Sequence, residues 1–486
     1  MTQAAVEQLG MTARRYQQQR MAHWDRVAEA FPADTLGGRF YHRELVHYYR
    51  LLIPPGLRVL ELGCGQGDLL AALQPAVGVG IDFSATMIKQ AAERHPQLRF
   101  MHADAHGVAF NETFDAIVLS DLVNDLWDVQ VALEHLARAA GPQTRLVLNM
   151  YSRVWQAPLS VAQRMGWRKP TMAQNWLTQE DIVNLLSLTG FEVVQQSRET
   201  LLPLYLPLLS TLANRGLVKL WPFSWFALTN FIVARPAAQP SRTKDGKAPV
   251  VSVVVPARNE AGNIEGILAR TPEMGGGTEF VFVEGHSKDE TYAAIERAIA
   301  AHPERRCTLL RQTGKGKGDA VRLGFAHARG EVLMILDADL TVLPENLPRF
   351  YEALVSGRGE FINGVRLVYP MEAQAMRFFN LLGNKFFSLA FTWLLGQSVK
   401  DTLCGTKVLW KREYDLIAAN RSYFGDFDPF GDFDLLFGAA RLSLKIVDLP
   451  IRYHERTYGE TNINRWRHGW LLLRMVIFAA RRVKFT

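Results

Sequence analysis

Short apolar runs alternate along the chain with stretches whose apolar side chains recur at helical spacing. From Arg58 onward the runs RVLELG, GVGID, FDAIVLS and TRLVLNM are separated by segments such as DLLAALQ and SATMIKQAAERH. Apolar runs joined by amphipathic helices are what a parallel sheet with crossover helices requires. Phe226–Ala234 closes this first series as its last predicted strand. Arg235–Pro249 carries Pro, Ser and Lys with scarcely an apolar anchor and reads as a linker. From Val250 a second series follows, VVSVVVP, EFVFVEG and EVLMILDADL. The pattern predicts an α/β protein of two domains, residues 1–236 and 249–486, with 237–248 between them. No internal repeat of solenoid period interrupts it.

The 486 residues exceed what one hydrophobic core supports, in keeping with two domains. Cys64, Cys307 and Cys404 are too scattered for a disulfide framework or a zinc site, so a reducing cytoplasm is the expected setting. The N-terminal MTQAAVEQLGMTARRYQQQR lacks the apolar stretch of a secretion signal. Leu201–Ala213 is broken by Pro203 and Pro207, and Trp470–Ala480 is short and carries Arg474, so neither predicts a membrane-crossing helix. The formal charge of +7 is concentrated in residues 445–486, which hold nine Lys and Arg against three Asp and Glu. A basic excess confined to a segment that also contains Trp466, Trp470 and Phe478 points to an anionic membrane surface or a phosphate-bearing substrate, not to nucleic acid.

VLELGCGQGDLLAAL puts Glu61, Gly63, Gly65 and Gly67 between a buried strand and a helix, where the chain turns with little bulk and a ligand can approach the backbone. The spacing Glu-x-Gly-x-Gly-x-Gly is not the dinucleotide fingerprint. The next strand ends in GVGID, offering Asp82 to ribose hydroxyls, and the third in MHADA, offering Asp104 to an adenine amino group. These residues resemble class I S-adenosylmethionine-dependent methyltransferases over about Arg39–Pro236. The resemblance implies a Rossmann-like domain in which Asp82 holds the ribose while the loop at Gly63, Gly65 and Gly67 passes beneath the methionine part. Asp121, Asn124 and Asp125, with His23 and His42, can supply a base but identify no methyl acceptor.

In the second series, SVVVPARNEAGNI ends a strand at Pro256 and presents Arg258, Asn259 and Glu260 at the mouth of a helix starting near Asn263. EFVFVEGHSKDET brings Glu284 to the same edge, with Ser287 and Asp289 expected to cap the following helix. TGKGKGDAVRLG adds a cationic loop whose Lys315 and Lys317 suit phosphates. EVLMILDADL ends in Asp337 and Asp339, two apart on a strand and therefore expected on one side of it. Mg²⁺ or Mn²⁺ bridging such a pair to substrate phosphates relieves the repulsion between like charges.

In this order the motifs resemble family-2 glycosyltransferases of the GT-A fold over about Pro249–Lys484, most of all the dolichol-phosphate mannosyltransferase group. The likeness rests also on NGVR with Arg366, DTLCGTK with Asp401 and Lys407, FDLL with Asp434, and RTYGET with Arg456, Glu460 and Thr461. It implies that Pro256, Arg258, Glu260 and Glu284 surround the nucleotide and that Asp337 and Asp339 hold metal and diphosphate. Arg366 and Arg456 then neutralise phosphate charge. Asp432 or Asp434 can serve as base for a hydroxyl acceptor, whereas a phosphate acceptor needs none. Glu284 stands where Asp is usual, Asp434 where Glu is usual, Asn462 where a Lys is usual and CGTK where SGFR is typical, which loosens the implied acceptor more than the implied nucleotide.

The resulting expectation is a cytoplasmic bifunctional enzyme. It uses S-adenosylmethionine to methylate an unidentified acceptor, and a nucleotide-diphosphate sugar to glycosylate polyprenyl phosphate or a cell-envelope glycan with inversion. One silent domain acting as a binding module, or a soluble acceptor, are the rival readings. The tail RWRHGWLLLRMVIFAARRVKF can lie on the inner face of the membrane or pack on the second domain.

Overall fold

The computed structural model describes residues 3–30, 36–108, 110, 112–166, 168–237, 246–366, 378–421, 431–452, 454, 456, 458 and 465–485, and their side chains except at 3–14, 36–37, 378–384, 432, 465–469, 472 and 483. Backbone contacts divide the chain into two units, Met1–Ala237 and Ala238–Lys484. Most of the expected linker lies outside the described residues.

In the first unit, helices α1 (Gln3–Ala30) and α2 (Leu36–Leu52) precede a seven-stranded sheet. Its strands are β1 (Arg58–Leu62), β2 (Val77–Asp82), β3 (Arg99–His102), β4 (Phe114–Ser120), β5 (Ala140–Tyr151), β6 (Phe191–Glu199) and β7 (Thr229–Pro236), in the order β3-β2-β1-β4-β5-β7-β6. All neighbours are parallel except β7, which is antiparallel to both β5 and β6. Both faces are covered, which is why RVLEL reads as a continuous run: Leu60 and Leu62 pack with Val79, Ile117 and Leu146, and Val59 packs on the other face with Tyr49, Val118 and Phe231. The helix Ala85–Arg94 starts where the Ser84 hydroxyl accepts from the Met87 amide at 3.2 Å.

The last strand is Thr229–Pro236, not Phe226–Ala234. The ladder begins only at Thr229, where Tyr151 and Glu199 flank it, while Phe226 ends a 3₁₀ turn with its ring in solvent. Apolar composition extends the predicted strand past the point where pairing partners exist.

The second unit has a sheet of β8 (Val251–Ala257), β9 (Thr278–Glu284), β10 (Arg306–Arg311), β11 (Val332–Ile335), β12 (Phe361–Val365), β13 (Lys407–Trp410) and β14 (Ile446–Pro450), ordered β10-β9-β8-β11-β13-β12-β14. β13 runs antiparallel to β11 and β12. Val254, Val283 and Ile335 face one core, and Val253, Phe282 and Met334 the other. The tail forms the helix Arg465–Ala479, whose Met475 and Ala479 are buried with Phe391 and Phe437 while Trp470 and Ile477 are exposed. One apolar face of the tail is therefore taken up by its own unit, and the side chain of Trp466 lies outside the described residues. Among the described residues no helix is long and apolar enough to cross a membrane.

Candidate active sites

At the carboxyl edge of the first sheet, Gly63, Gly65 and Gly67 all have positive φ, of 73°, 51° and 78°. A Cβ at Gly63 would lie 2.7 Å from Leu122, whereas at Gly65 it would meet nothing within 4 Å, so the loop presents bare backbone to open space. Asp82, at the end of β2, is buried and braces this loop: one oxygen accepts from the Gly65 amide and the other from the Ser84 amide, both at 2.9 Å. Burial raises its carboxyl, with those two amides pulling the other way. Glu61 is more deeply buried, its carboxyl is pushed well above the usual range by burial, and its Oε2 has no hydrogen-bond partner. Asp104, beyond β3, accepts from the His106 amide at 2.8 Å and lies 2.7 Å from the His106 Nδ1. Because the His106 Nε2 accepts from the Asp128 amide, its Nδ1 carries the proton donated to Asp104.

A cleft of about 290 Å³ lined by Gln17, Met21, Phe83, His102 and Asp104 opens here, near the lower end of roughly 300–1,000 Å³ common for ligand pockets. A narrower cleft that also touches Asp104 reaches Gly63 and Asp82. Its α1 wall is Tyr16, Gln17 and Arg20, with Arg20 held by Asp125 at 2.7 Å and Tyr16 against the Trp127 ring at 4.9 Å. Sequence reasoning missed these α1 residues because polar helical text before the first strand carries no motif. An orphaned buried carboxylate oxygen beside a bare glycine loop fits a ligand with a cationic amino group, as S-adenosylmethionine has.

Asp121 follows β4 with φ of 53°. Its carboxylate accepts from Tyr41 at 3.0 Å, Tyr151 at 3.2 Å and Asn149 at 2.5 Å. Burial raises its carboxyl, with the nearby His42 opposing. Asn124 instead braces the chain, donating to the Asn175 carbonyl at 2.7 Å, and His23 meets the Pro170 carbonyl at 2.9 Å. No spacing in the sequence joins Tyr41, Asn149 and Tyr151, since they come from α2 and β5.

In the second unit, the ends of β8, β9 and β11 form one edge. Pro256 is half-buried at the end of β8 and Arg258 is exposed just beyond it. Glu260 binds Arg456 at 3.0 Å and Asn263 at 2.8 Å. Glu284 is buried and accepts from the Ser287 amide at 2.5 Å. Neither expected cap holds the N-cap position of the helix Thr291–Ala301, which Glu290 occupies without a side-chain cap: Asp289, one residue earlier, accepts from the Thr291 amide at 3.0 Å, and the Ser287 hydroxyl accepts from the Asn259 amide at 3.0 Å, tying the β8 and β9 loops together.

β11 ends at Ile335, so Asp337 and Asp339 stand in the turn beyond it, where strand alternation no longer fixes their directions. Asp337 pairs with Lys317 at 2.6 Å, and Asp339 with Arg456 at 2.6 Å and the Thr341 hydroxyl at 2.7 Å. Gly405 closes over the first pair: a Cβ there would come within 1.9 Å of the Asp337 carboxylate. This cradle, which the CGTK text hides, leaves two carboxylates whose counter-charges are side-chain cations that a divalent ion and a diphosphate can exchange. Among the described residues no cluster of three or more His, Cys, Asp and Glu is placed to hold a metal. The donor set fits a cation that takes its remaining oxygens from a bound phosphate or water.

Arg366 is committed elsewhere, donating to Asp401 through Nε at 2.8 Å and Nη2 at 2.9 Å. Burial raises the Asp401 carboxyl, but Arg366 outweighs it and holds the group below its usual range. Removing one member of such a buried pair costs about 3–5 kcal/mol. Arg366→Ala should therefore lower the unfolding temperature of the second unit and leave that of the first unchanged, as calorimetry would resolve; lost sugar transfer with an unmoved transition would mark a direct substrate contact instead. Asp434 is buried and paired with Arg421 at 2.8 Å. The side chain of Asp432, and Glu460, Thr461 and Asn462, lie outside the described residues.

Burial pushes the Glu260 carboxyl up to about 7, against the pull of Arg456 and with Asp339 adding to the rise. The folded protein thus holds a proton that the unfolded chain releases near 4.5. That contribution to stability is complete below 4.5 and is lost as pH rises through 7. Glu260→Gln should flatten this decline in a plot of unfolding temperature against pH; an unchanged slope would show that another group titrates there.

A model of the methyltransferase domain matches residues 16–196, and one of glycosyl transferase family 2 matches residues 252–409. The chain is a methyltransferase domain joined to a family-2 glycosyltransferase domain. The first match starts at Tyr16, not near Arg39, in line with the place of α1 in the cleft wall. The two-domain transferase is 27% identical to a dolichol-phosphate mannosyltransferase of Pyrococcus furiosus, over 49% of this chain and 67% of that protein. It is 28% identical to the low-salt glycan biosynthesis hexosyltransferase Agl6 of Haloferax volcanii, over 49% of this chain and 56% of that protein. A solved putative methyltransferase, in complex with the Haloferax volcanii Trm112 activator, overlays 44% of this chain and 97% of its own at 17% identity and a TM-score of 0.34, too low to carry functional weight.

Proposed function

We propose that the two-domain transferase moves a sugar from a nucleotide diphosphate to a polyprenyl phosphate or a cell-envelope glycan, with inversion, and a methyl group from S-adenosylmethionine to a separate acceptor. The observation that carries the reading is the meeting of the β8, β9 and β11 ends with two carboxylate–cation pairs, Asp337 with Lys317 and Asp339 with Arg456. A likeness to a dolichol-phosphate mannosyltransferase supports the lipid-phosphate acceptor. Asp337 and Asp339 would hold Mg²⁺ or Mn²⁺, which supplies counter-charge for the diphosphate. With their carboxylates occupied, Lys317 and Arg456 turn to the phosphate oxygens and stabilise the leaving group. Pro256, Arg258, Glu260 and Glu284 shape the nucleotide side. Asp434 accepts the proton of a hydroxyl acceptor; an ionised phosphate acceptor needs no base.

In the first unit, Asp82 orients the ribose, Asp104 the adenine, and Glu61 with the glycine loop the methionine end of the donor, which supplies an electrophilic methyl group. Mass spectrometry of products from a panel of nucleotide sugars, with and without polyprenyl phosphate and S-adenosylmethionine, tests both halves. Donor turnover that never depends on lipid phosphate would replace that acceptor with a soluble one.

A further inference from the structure

The segment between β6 and β7 is built inside out. Eleven of the 23 residues Leu204–Phe226 are large hydrophobic side chains at least 43% exposed, nearly half of the 23 such side chains among all described residues. Leu208 is 88%, Trp221 75% and Tyr205 64% exposed. Single exposed apolar residues need no explanation, but a contiguous set of this size on one loop does. Two of its polar side chains, Ser210 and Asn214, point inward instead. Ser210 is buried and its hydroxyl joins the Leu206 amide to the Leu204 carbonyl, each at 2.6 Å. Asn214, also buried, accepts from the Leu201 and Leu202 amides at 2.9 and 2.8 Å and donates to the Leu202 carbonyl at 2.9 Å. Water would satisfy such backbone groups at no cost to composition; hydrocarbon cannot, so they must be paired internally where a surface meets lipid.

Charge selects the kind of surface. No Asp or Glu occurs from Thr200 to Lys244. Arg215 is exposed within the segment, and the exposed Arg43 of α2 stands over the Tyr205 ring at 5.8 Å. Leucines flanked by Trp, Tyr and Arg, without acids, match the interface of an anionic bilayer, where aromatic rings sit at headgroup depth and cations meet lipid phosphates.

We propose that Leu204–Phe226 is a monotopic membrane-docking surface that seats the methyltransferase unit on anionic phospholipid, inserting shallowly without crossing. It is independent of which acceptors the two domains use, and it is distinct from the tail. The test uses the full chain with vesicles of phosphatidylcholine alone or mixed with phosphatidylglycerol, comparing the natural sequence with a combined Leu208→Ser, Trp221→Ser and Trp225→Ser variant. These three side chains are exposed, so folding should persist, which the unfolding temperature checks. Partition onto the mixed vesicles should fall at least about tenfold, given the transfer cost of three large apolar side chains. Arg43→Gln with Arg215→Gln should weaken only the preference for phosphatidylglycerol. Equal partition of natural and triple-variant protein, with the tail intact in both, would overturn the proposal. So would a natural protein that ignores vesicles and forms a dimer the triple variant loses, because the surface would then belong to a second copy of the chain.

Discussion

Asp339→Asn is expected to abolish sugar transfer and leave methyl transfer intact. The substitution keeps size and one acceptor oxygen, so the Thr341 amide, 3.1 Å from Oδ1, and its hydroxyl retain their partner. What is lost is one negative charge from a set in which Asp339 balances Arg456. A divalent cation then binds less well, and the arginine no longer has a carboxylate to leave when the diphosphate arrives. Loss of one pre-organised charge-stabilising group commonly costs about 10²–10³ in rate. The effect on stability should stay near 1 kcal/mol, since the bonds from Thr341 survive and only the one from Arg456 is lost. Nucleotide diphosphate release and methyl transfer, measured on one preparation with metal added or chelated, separate the outcomes. Sugar transfer that persists, or ignores chelation, would remove Asp339 from the metal site. Joint loss of both activities would show that the units, though each has its own core, do not work independently.

Asp82→Ala should weaken S-adenosylmethionine binding by about 10- to 100-fold, the equivalent of about 1.4–2.8 kcal/mol. The loss has two sources. Ribose hydroxyls lose their acceptor, and the Gly65 and Ser84 amides that Asp82 now holds are left unpaired in a buried place. The second source loosens the glycine loop before any ligand binds. Asp82→Asn keeps an acceptor for one amide and should fall between the natural protein and the alanine variant. Titration calorimetry showing unchanged affinity in Asp82→Ala would contradict the ribose role, while weaker binding restored fully in Asp82→Asn would assign the effect to loop bracing alone.

Both sites combine residues the sequence displays openly with contacts it conceals. Glycines at 63, 65 and 67 announce a tight turn because few other residues adopt positive φ, and a local backbone requirement is written in local text. The Asp337–Ala338–Asp339 run is legible for the same reason, yet its strand ends two residues earlier than alternation implies. The partners of its carboxylates come from Lys317 and Arg456, far away in the chain. Arg366 is given a phosphate-neutralising role by the family resemblance alone, and its contact with Asp401, 35 positions away, is one that no spacing displays.

The sequence by itself determined that there are two α/β units, most strands of the first sheet and three of the second, and which strand ends carry glycines and acids. Those features depend on periodicity and on backbone conformations that only certain residues accept. Tertiary structure alone decided which cation faces which carboxylate, that α1 walls the first cleft, and that Ser210 and Asn214 turn a leucine- and tryptophan-rich loop inside out. Such contacts join residues from tens to more than a hundred positions apart, or depend on which way a side chain points, and neither pairing distance nor direction leaves a periodic trace in the chain.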